Sequence, residues 1–449
     1  MPSGQRGIVN ILQEFSIPLL GGVAIALISA NLAPHWYLHV LHWEPFGAVH
    51  VFGKEVSFHF LVNDVFMVLF FGIAAKEITE SCLPGGSLNP IRKAITPLVA
   101  TIGGVIGPAC VFLLGISLAY AAGIYDPNVD DRRMIARGWG VPTATDIALA
   151  WLVARTVFGR GHPAVAFLLL LAVADDAIGL VIIAIFYGDP TNPVAPAFLG
   201  LVVLGMAIAF GMRRAGVSSW FPYVLIAGPL AWSGLMLAHL HPALALAVIV
   251  PFMPGPAGDM GLFSDQDDVD VMGEVTASEH HIEHSALHQF EHQLKLPVDI
   301  GLFFFAFANA GVQFAVVGTL TWLILGGLVI GKTVGISVFG LGARMIGLPL
   351  PAGMSVADLV MAGFVAALGL TVALFVASAA YVDPILQGQA KMGALLSGVV
   401  GLVAIGIGRA FGFGRAAAES PSEAVGEPAK KATPVSIATA APRSADPRH

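Results

Sequence analysis

From Ala164 to Tyr187 the chain reads AVAFLLLLAVADDAIGLVIIAIFY, an apolar run interrupted by two adjacent carboxylates, Asp175 and Asp176. A bilayer core needs about 20 apolar residues in helical form, and this run supplies them. Similar runs recur along the chain. In hydrocarbon every backbone polar group must be satisfied internally, so such a chain folds as a bundle of helices. Composition agrees: 11% of the 449 residues are charged and the mean hydropathy is +0.81, where soluble domains carry about 25% charged residues. The fold class expected is an all-α polytopic membrane protein, and no basic patch points to nucleic acid.

Apolar runs between polar or Pro/Gly breaks give about twelve spans: 15–33, 59–75, 94–123, 138–154, 163–187, 195–212, 221–239, 242–254, 298–316, 320–341, 358–381 and 391–409. Residues 1–14 then form a cytoplasmic lead, 15–412 the transmembrane domain with a His-rich cytoplasmic loop at 255–297, and 413–449 a disordered tail rich in Ala, Pro, Ser and Glu. The long polar lead favours a retained first span over a cleaved signal peptide. Placing the N-terminus inside puts sixteen of the 22 Lys and Arg on the cytoplasmic side and five outside. Both termini are therefore expected in the cytoplasm. Cys82 and Cys110 have no metal-ligand company and suggest no disulfide framework.

Five ionisable residues fall inside spans: Asp64, Asp146, Asp175, Asp176 and Lys332. Insertion of each costs about 2.5–3.5 kcal/mol at a helix centre, so such residues face the bundle interior and mark ion pathways or proton relays. A structural ion pair can account for Lys332 with one Asp, but one cation does not neutralise four acids. Adjacent positions on a helix are about 100° apart. Asp175 and Asp176 should therefore point differently, titrate separately and divide the work. One can pair with Lys332 while the other reaches a cavity. A carboxylate that holds a proton, a sodium ion or an ammonium in turn is the minimal part for ion exchange.

A second element is GWGVPTATDIALA, residues 138–150. Pro142 frees backbone groups inside an apolar span, and Thr143 and Thr145 bring hydroxyls beside Asp146. A broken helix is tolerated where it lines a cavity, and hard cations take oxygen ligands of these kinds. In the eleventh span, Gly369 and Thr371 interrupt the apolar run near its centre. Alone this reads as packing; beside an interrupted fourth span it becomes a candidate second break.

VNDVFM, GVPTATDIALA, LAVADDAIGLVIIAIFY, GMRRAG, LHPALALAVIV, FAFANAGV, LVIGKTVGIS and YVDPILQGQAKMG together resemble the NhaA family of bacterial sodium/proton antiporters, over about residues 10–412. That family is itself a reference example of inverted repeats with discontinuous helices. The resemblance implies twelve helices, with broken fourth and eleventh helices that cross. It implies an inner-membrane antiporter, not an enzyme and without a cofactor, that exchanges Na+, with Li+ as a second candidate cargo, for H+ by electrogenic alternating access. Asp175 and Asp176 would bind the ions, the second more directly, and the first would exchange its salt bridge with Lys332. Thr145 and Asp146 would sit at the break, with Asp146 compensating helix-end charges. The resemblance also implies a role in pH homeostasis, and a homodimer through an outer hairpin between Tyr37 and Phe58.

The sequence departs from the family in its pH-sensing cluster. GIAAKEITES keeps Glu77 but has Ser81 at the second glutamate position. FEHQLK keeps Glu291 and His292 but has Lys295 where a second histidine belongs. Just upstream, His280, His284, His288 and His292 recur every four residues and would stripe one helix face. Such a stripe fits a pH sensor, a divalent metal site or a plain solvated segment. Two rivals stand beside the antiporter. A proton-coupled transporter of another substrate, such as an organic anion, would want more mid-membrane cations than Lys332. An intramembrane aspartic protease would want a Gly-x-Gly-Asp motif, which the chain lacks.

Overall fold

The computed structural model describes residues 17–83, 86–89, 91–189, 192–255 and 285–413. The lead 1–14, the tail beyond 413, His280 and His284 lie outside the described residues. The chain opens with α1 (Ile17–Leu32), α2 (Pro34–Leu41) and a hairpin of β1 (His50–Val51) and β2 (Lys54–Glu55). Next come α3 (Phe58–Cys82), α4 (Ile91–Ala121), α5 (Arg132–Thr143), α6 (Ile147–Phe158) and α7 (Pro163–Phe186). They are followed by α8 (Pro196–Arg214), α9 (Tyr223–Leu237), α10 (Pro242–Phe252) and α11 (Ala286–Ala310). The last elements are α12 (Thr319–Met345), α13 (Val356–Val365), α14 (Thr371–Ala380) and α15 (Pro384–Phe411). Among the described residues six helices, α3, α4, α7, α8, α12 and α15, are long and apolar enough to cross a membrane, and α5 with α6, a pair bent by 49°, count as a seventh if taken as one broken span. Outward residues such as Ile106, Leu113, Leu114 and Leu118 on α4 are exposed, the surface a lipid environment accepts.

Helix occupies the expected spans, interrupted midway in the fourth and the eleventh, and several boundaries move: the ninth helix ends at Ala310 and the twelfth starts at Pro384, besides the two shifts that follow. The loop expected to run to 297 ends at Ser285, whose Oγ accepts the His288 N–H at 3.2 Å and caps α11. Buried Leu287 and Phe290 give this extension an apolar face, so Glu291 and His292 stand on a helix rather than in a loop. The second span, expected to end at 75, continues to Cys82 because Lys76 is neutralised where it is buried.

Close helix crossing holds the centre. Gly103 and Gly107 on α4 face Gly331 and Gly335 on α12, four residues apart on each side. A Cβ on Gly335 would stand 2.0 Å from the Gly103 carbonyl oxygen, and one on Gly107 2.3 Å from that of Gly331. Small residues at this spacing let two membrane helices touch backbone to backbone. The contact fixes the height and rotation of Lys332, which closes a π-helical turn at Gly327–Lys332. Asp64 sits in another such turn, Leu61–Phe66. These wide turns re-aim side chains and frequently accompany functional sites.

Candidate ion-binding site

Two spans are broken, and the breaks cross. α5 stops at Thr143, and residues 144–146 run extended before α6. The sequence before this break keeps the halves close to their neighbours. Gly140 N–H donates to Tyr187 Oη at 2.8 Å, and Tyr187 Oη donates to the Arg137 carbonyl at 2.8 Å. A Cβ on Gly138 would fall 2.1 Å from Tyr381 Oη, which explains the small residue there. The second break separates α13 from α14 over residues 366–370. It passes directly over the first: Asp146 N–H donates to the Leu368 carbonyl at 2.6 Å and Thr145 Oγ1 to the Ala366 carbonyl at 3.1 Å. Gly369 is required by this approach, since a Cβ would stand 2.7 Å from the Ala144 carbonyl oxygen. Ser397 on α15 closes the arrangement, accepting the Gly369 N–H at 3.1 Å while its hydroxyl faces the Ala394 carbonyl at 2.6 Å.

Asp146 lies between two helix N-termini. Its Oδ1 accepts the Leu149 N–H at 3.1 Å and caps α6. Its Oδ2 accepts the Thr371 N–H at 3.2 Å and the Thr371 hydroxyl at 2.6 Å, at the start of α14. The orphan N–H groups and positive dipole ends of both helices thus share one carboxylate.

Beside the crossing, Lys332 is fully buried, and its Nζ donates to Asp175 Oδ2 at 2.6 Å and to Thr145 Oγ1. α12, α7 and the break before α6 therefore meet at one ammonium. Asp175 is buried with it, whereas Asp176, one residue on, is half-buried and turns elsewhere, as the rotation between adjacent helix positions requires. Asp176 faces a narrow cleft with Phe70, Phe71, Ala74 and Val372 whose space, about 10 Å³, is roughly that of one water. The two carboxylates of the doublet thus have different surroundings: an ammonium for the first, a cleft for the second.

A larger pocket of about 610 Å³ opens at the hairpin end, lined by Asp64, Asn63, His239, His241, Ser378 and Phe375 among others. Asn309 donates to Asn63 Oδ1 at 2.9 Å and accepts from Ser378 Oγ at 3.0 Å, joining α3, α11 and α14 at its floor. Phe375 lines this pocket, Phe71 lines the Asp176 cleft, and the two rings pack edge to face at 4.9 Å. One aromatic pair thus joins the linings of the two spaces. Asp64 belongs to this hairpin-end pocket, with Lys54 Nζ 3.8 Å from its carboxylate, and not to the group around Lys332.

At the other end of α3, buried Lys76 forms ion pairs with Glu80 and Glu291 and lies 3.9 Å from Glu77. Of the residues singled out for a pH response, Glu77 and Glu291 meet here. His288 and His292 stack at 6.3 Å along α11, with His292 exposed. Lys76 and Glu80 do not stand out in the sequence as members of this group, although their four-residue spacing on one helix is a recognised ion-pair signal. Among the described residues, no group of three or more His, Cys, Asp or Glu side chains converges as a metal cluster would.

The sequence matches the family model described as Na+/H+ antiporter 1 over residues 8–407. It is 54% identical over 412 residues to a protein named Na+/H+ antiporter NhaA from Desulfitobacterium hafniense, covering 92% of this chain and 98% of that one. It is 55% identical over 407 residues to a protein of the same name from Geobacter sulfurreducens, covering 91% and 98%. Among solved structures, a sodium proton antiporter from Methanocaldococcus jannaschii matches with a TM-score of 0.47 and 13% identity, over 90% of this chain and 97% of that one, a likeness too slight to bear on the fold. With crossed helix breaks, an acidic doublet of which one member pairs with a buried lysine, and a family match along nearly its whole length, the chain belongs to the Na+/H+ antiporter 1 family of multi-pass bacterial membrane transporters.

Proposed function

We propose that this protein is a secondary antiporter that exchanges Na+ for H+ by alternating access, with Asp175 and Asp176 as the ion-binding carboxylates. The observation that carries the reading is the asymmetry of the doublet: Asp175 is held by Lys332 Nζ at 2.6 Å, while Asp176 is half-buried at a cleft. A sodium ion arriving at Asp176 displaces a proton from it, so carboxylic acid plus Na+ becomes sodium carboxylate plus H+. If Asp175 joins as a second ligand, Lys332 must release it. Proton and cation then compete for the same oxygens, and neither crosses together with the other. Hydroxyls and carbonyls at the crossing, including Thr145, supply the oxygen-rich surroundings a hard cation prefers.

Broken helices with few backbone restraints between their halves suit a site that opens to one side at a time. The Phe71–Phe375 pair links the lining of the Asp176 cleft to that of the hairpin-end pocket, and an opening between the two would pass these rings. We assign twelve spans, with α11 counted beside the long, broken and shorter helices, and both termini to the cytoplasmic side of the inner membrane. We assign Li+ as an alternative cargo, an electrogenic stoichiometry, a homodimer built on the β1–β2 hairpin, and a cytoplasmic pH-responsive cluster at Lys76, Glu77, Glu80 and Glu291. The test is proton flux in everted vesicles, reported by a pH-sensitive dye. Asp176→Asn should abolish Na+-driven proton movement; robust exchange in that variant would overturn the assignment.

A further inference from the structure

Lys391 is a third buried lysine, and unlike Lys332 and Lys76 it has no acid beside it. It lies on α15 about two turns from Pro384 and is only 7% exposed. Among the described residues its ammonium has no hydrogen-bond acceptor and no ion-pair partner. It lines a pocket of about 500 Å³ at the hairpin end, between α2, the start of α3, the end of α11 and α15. His59, His42 and Ser57 line the same space, and none of its lining residues is acidic. Its walls include the apolar side chains of Leu38, Leu41 and Val316.

Burying an ammonium without a counter-charge is unfavourable by several kcal/mol, and Met would fill the same volume without that penalty. A lysine near a membrane edge often extends its amine to water; with Lys391 only 7% exposed, the space its side chain meets is this pocket. The described residues supply neither acceptor nor counter-charge here, so the partner of this amine comes from whatever fills the pocket. Lys391 on α15, His59 on the first turn of α3 and His42 just past α2 line the space from three separate elements, so an oxyanion there has several donors to draw on. Lysine is a common point-charge partner for phosphate. The apolar walls leave room for an attached hydrocarbon portion, as small-molecule pockets generally do.

We propose that this pocket is an anion site for a phosphate group, with the Lys391 ammonium as its counter-ion and His59 and His42 as additional donors. The phosphate can belong to a phospholipid headgroup at the membrane edge or be free in solution, and titration separates the two sources. The full-length protein in neutral detergent is titrated calorimetrically with short-chain phosphatidylglycerol and, separately, with potassium phosphate, which introduces no transported cation. The wild type should bind one equivalent of the lipid. Lys391→Met should weaken that binding at least tenfold, and Lys391→Arg should retain it within about threefold. Phosphate binding as well would show that a free anion suffices; lipid binding alone would assign the site to headgroups. Amine-reactive labelling of the wild type, read at the peptide containing Lys391, requires no variant. Bound ligand should slow labelling there at least threefold. Absence of saturable binding by both ligands, unchanged binding in folded Lys391→Met, or no protection of Lys391 would overturn the proposal.

Discussion

Replacing Asp146 with Asn should destabilise the crossing by an amount the geometry fixes in outline. The carboxylate serves two helices, with Oδ1 on Leu149 N–H at 3.1 Å and Oδ2 on Thr371 N–H at 3.2 Å and Thr371 Oγ1 at 2.6 Å. An Asn amide oxygen can keep one of these helices, but its NH2 group then meets the donors of the other. The stranded, buried Thr371 N–H costs roughly 1–3 kcal/mol. Loss of the negative charge removes about 0.3–2 kcal/mol of interaction with each of two helix N-termini. Together these give roughly 2–7 kcal/mol for Asp146→Asn. Thr371→Val deletes only the charge-assisted hydroxyl bond, about 1.5–3 kcal/mol. In the Asn background that hydroxyl no longer faces a carboxylate, so the double variant should fall short of the sum by about 1–2 kcal/mol. Contacting residues normally couple on this scale. The assay is denaturant unfolding of the full-length protein in detergent, followed by tryptophan fluorescence, for all four corners of the cycle. Additivity within about 0.5 kcal/mol, or an Asp146→Asn protein as stable as the wild type, would refute the shared-carboxylate account.

Other consequences are as direct. Gly335→Leu drives a side chain into a position where even a Cβ lies 2.0 Å from the Gly103 carbonyl; α4 and α12 must separate, and size-exclusion chromatography should show loss of monodisperse protein, well beyond the ~1–3 kcal/mol of ordinary overpacking. Lys332→Met leaves Asp175 buried without its cation and should lower stability by about 3–5 kcal/mol. Adding Asp175→Asn should recover most of that loss in the same unfolding assay, and a further fall would count against the pairing. Ser397→Ala strands the Gly369 N–H at the second break and should lower stability by roughly 1–3 kcal/mol. An unchanged unfolding midpoint would show that this hydroxyl does not hold the break.

The parts of the site that carry charge were readable in the sequence. Acids in an apolar run stand out, and Pro142, Thr145 and Asp146 within a few residues announce an interruption. The second break was weaker, because Gly369 and Thr371 are ordinary in membrane helices until a carboxylate from another helix is seen to reach Thr371. Backbone ligation was not legible at all. The carbonyls of Ala366 and Leu368 receive Thr145 and Asp146 through chain geometry, not side-chain identity. Ser397 was hidden for a related reason: an isolated hydroxyl in LLSGVV looks like any other until the Gly369 N–H is found facing it. Lys76 and Lys391 were counted for topology by their position along the chain. Their burial, which gives each its chemical meaning, depends on helices far away in sequence.

The central claim is that one set of carboxylate oxygens holds either proton or sodium. Its most direct test is proton release from the purified, weakly buffered full-length protein on addition of NaCl, with choline chloride as the control, at several fixed pH values. The account predicts sodium-dependent proton release that saturates with the same midpoint as sodium binding and vanishes when Asp175 and Asp176 are both replaced by Asn. Sodium binding with no proton release at any pH where the wild type transports, or release undiminished in the double variant, would contradict it.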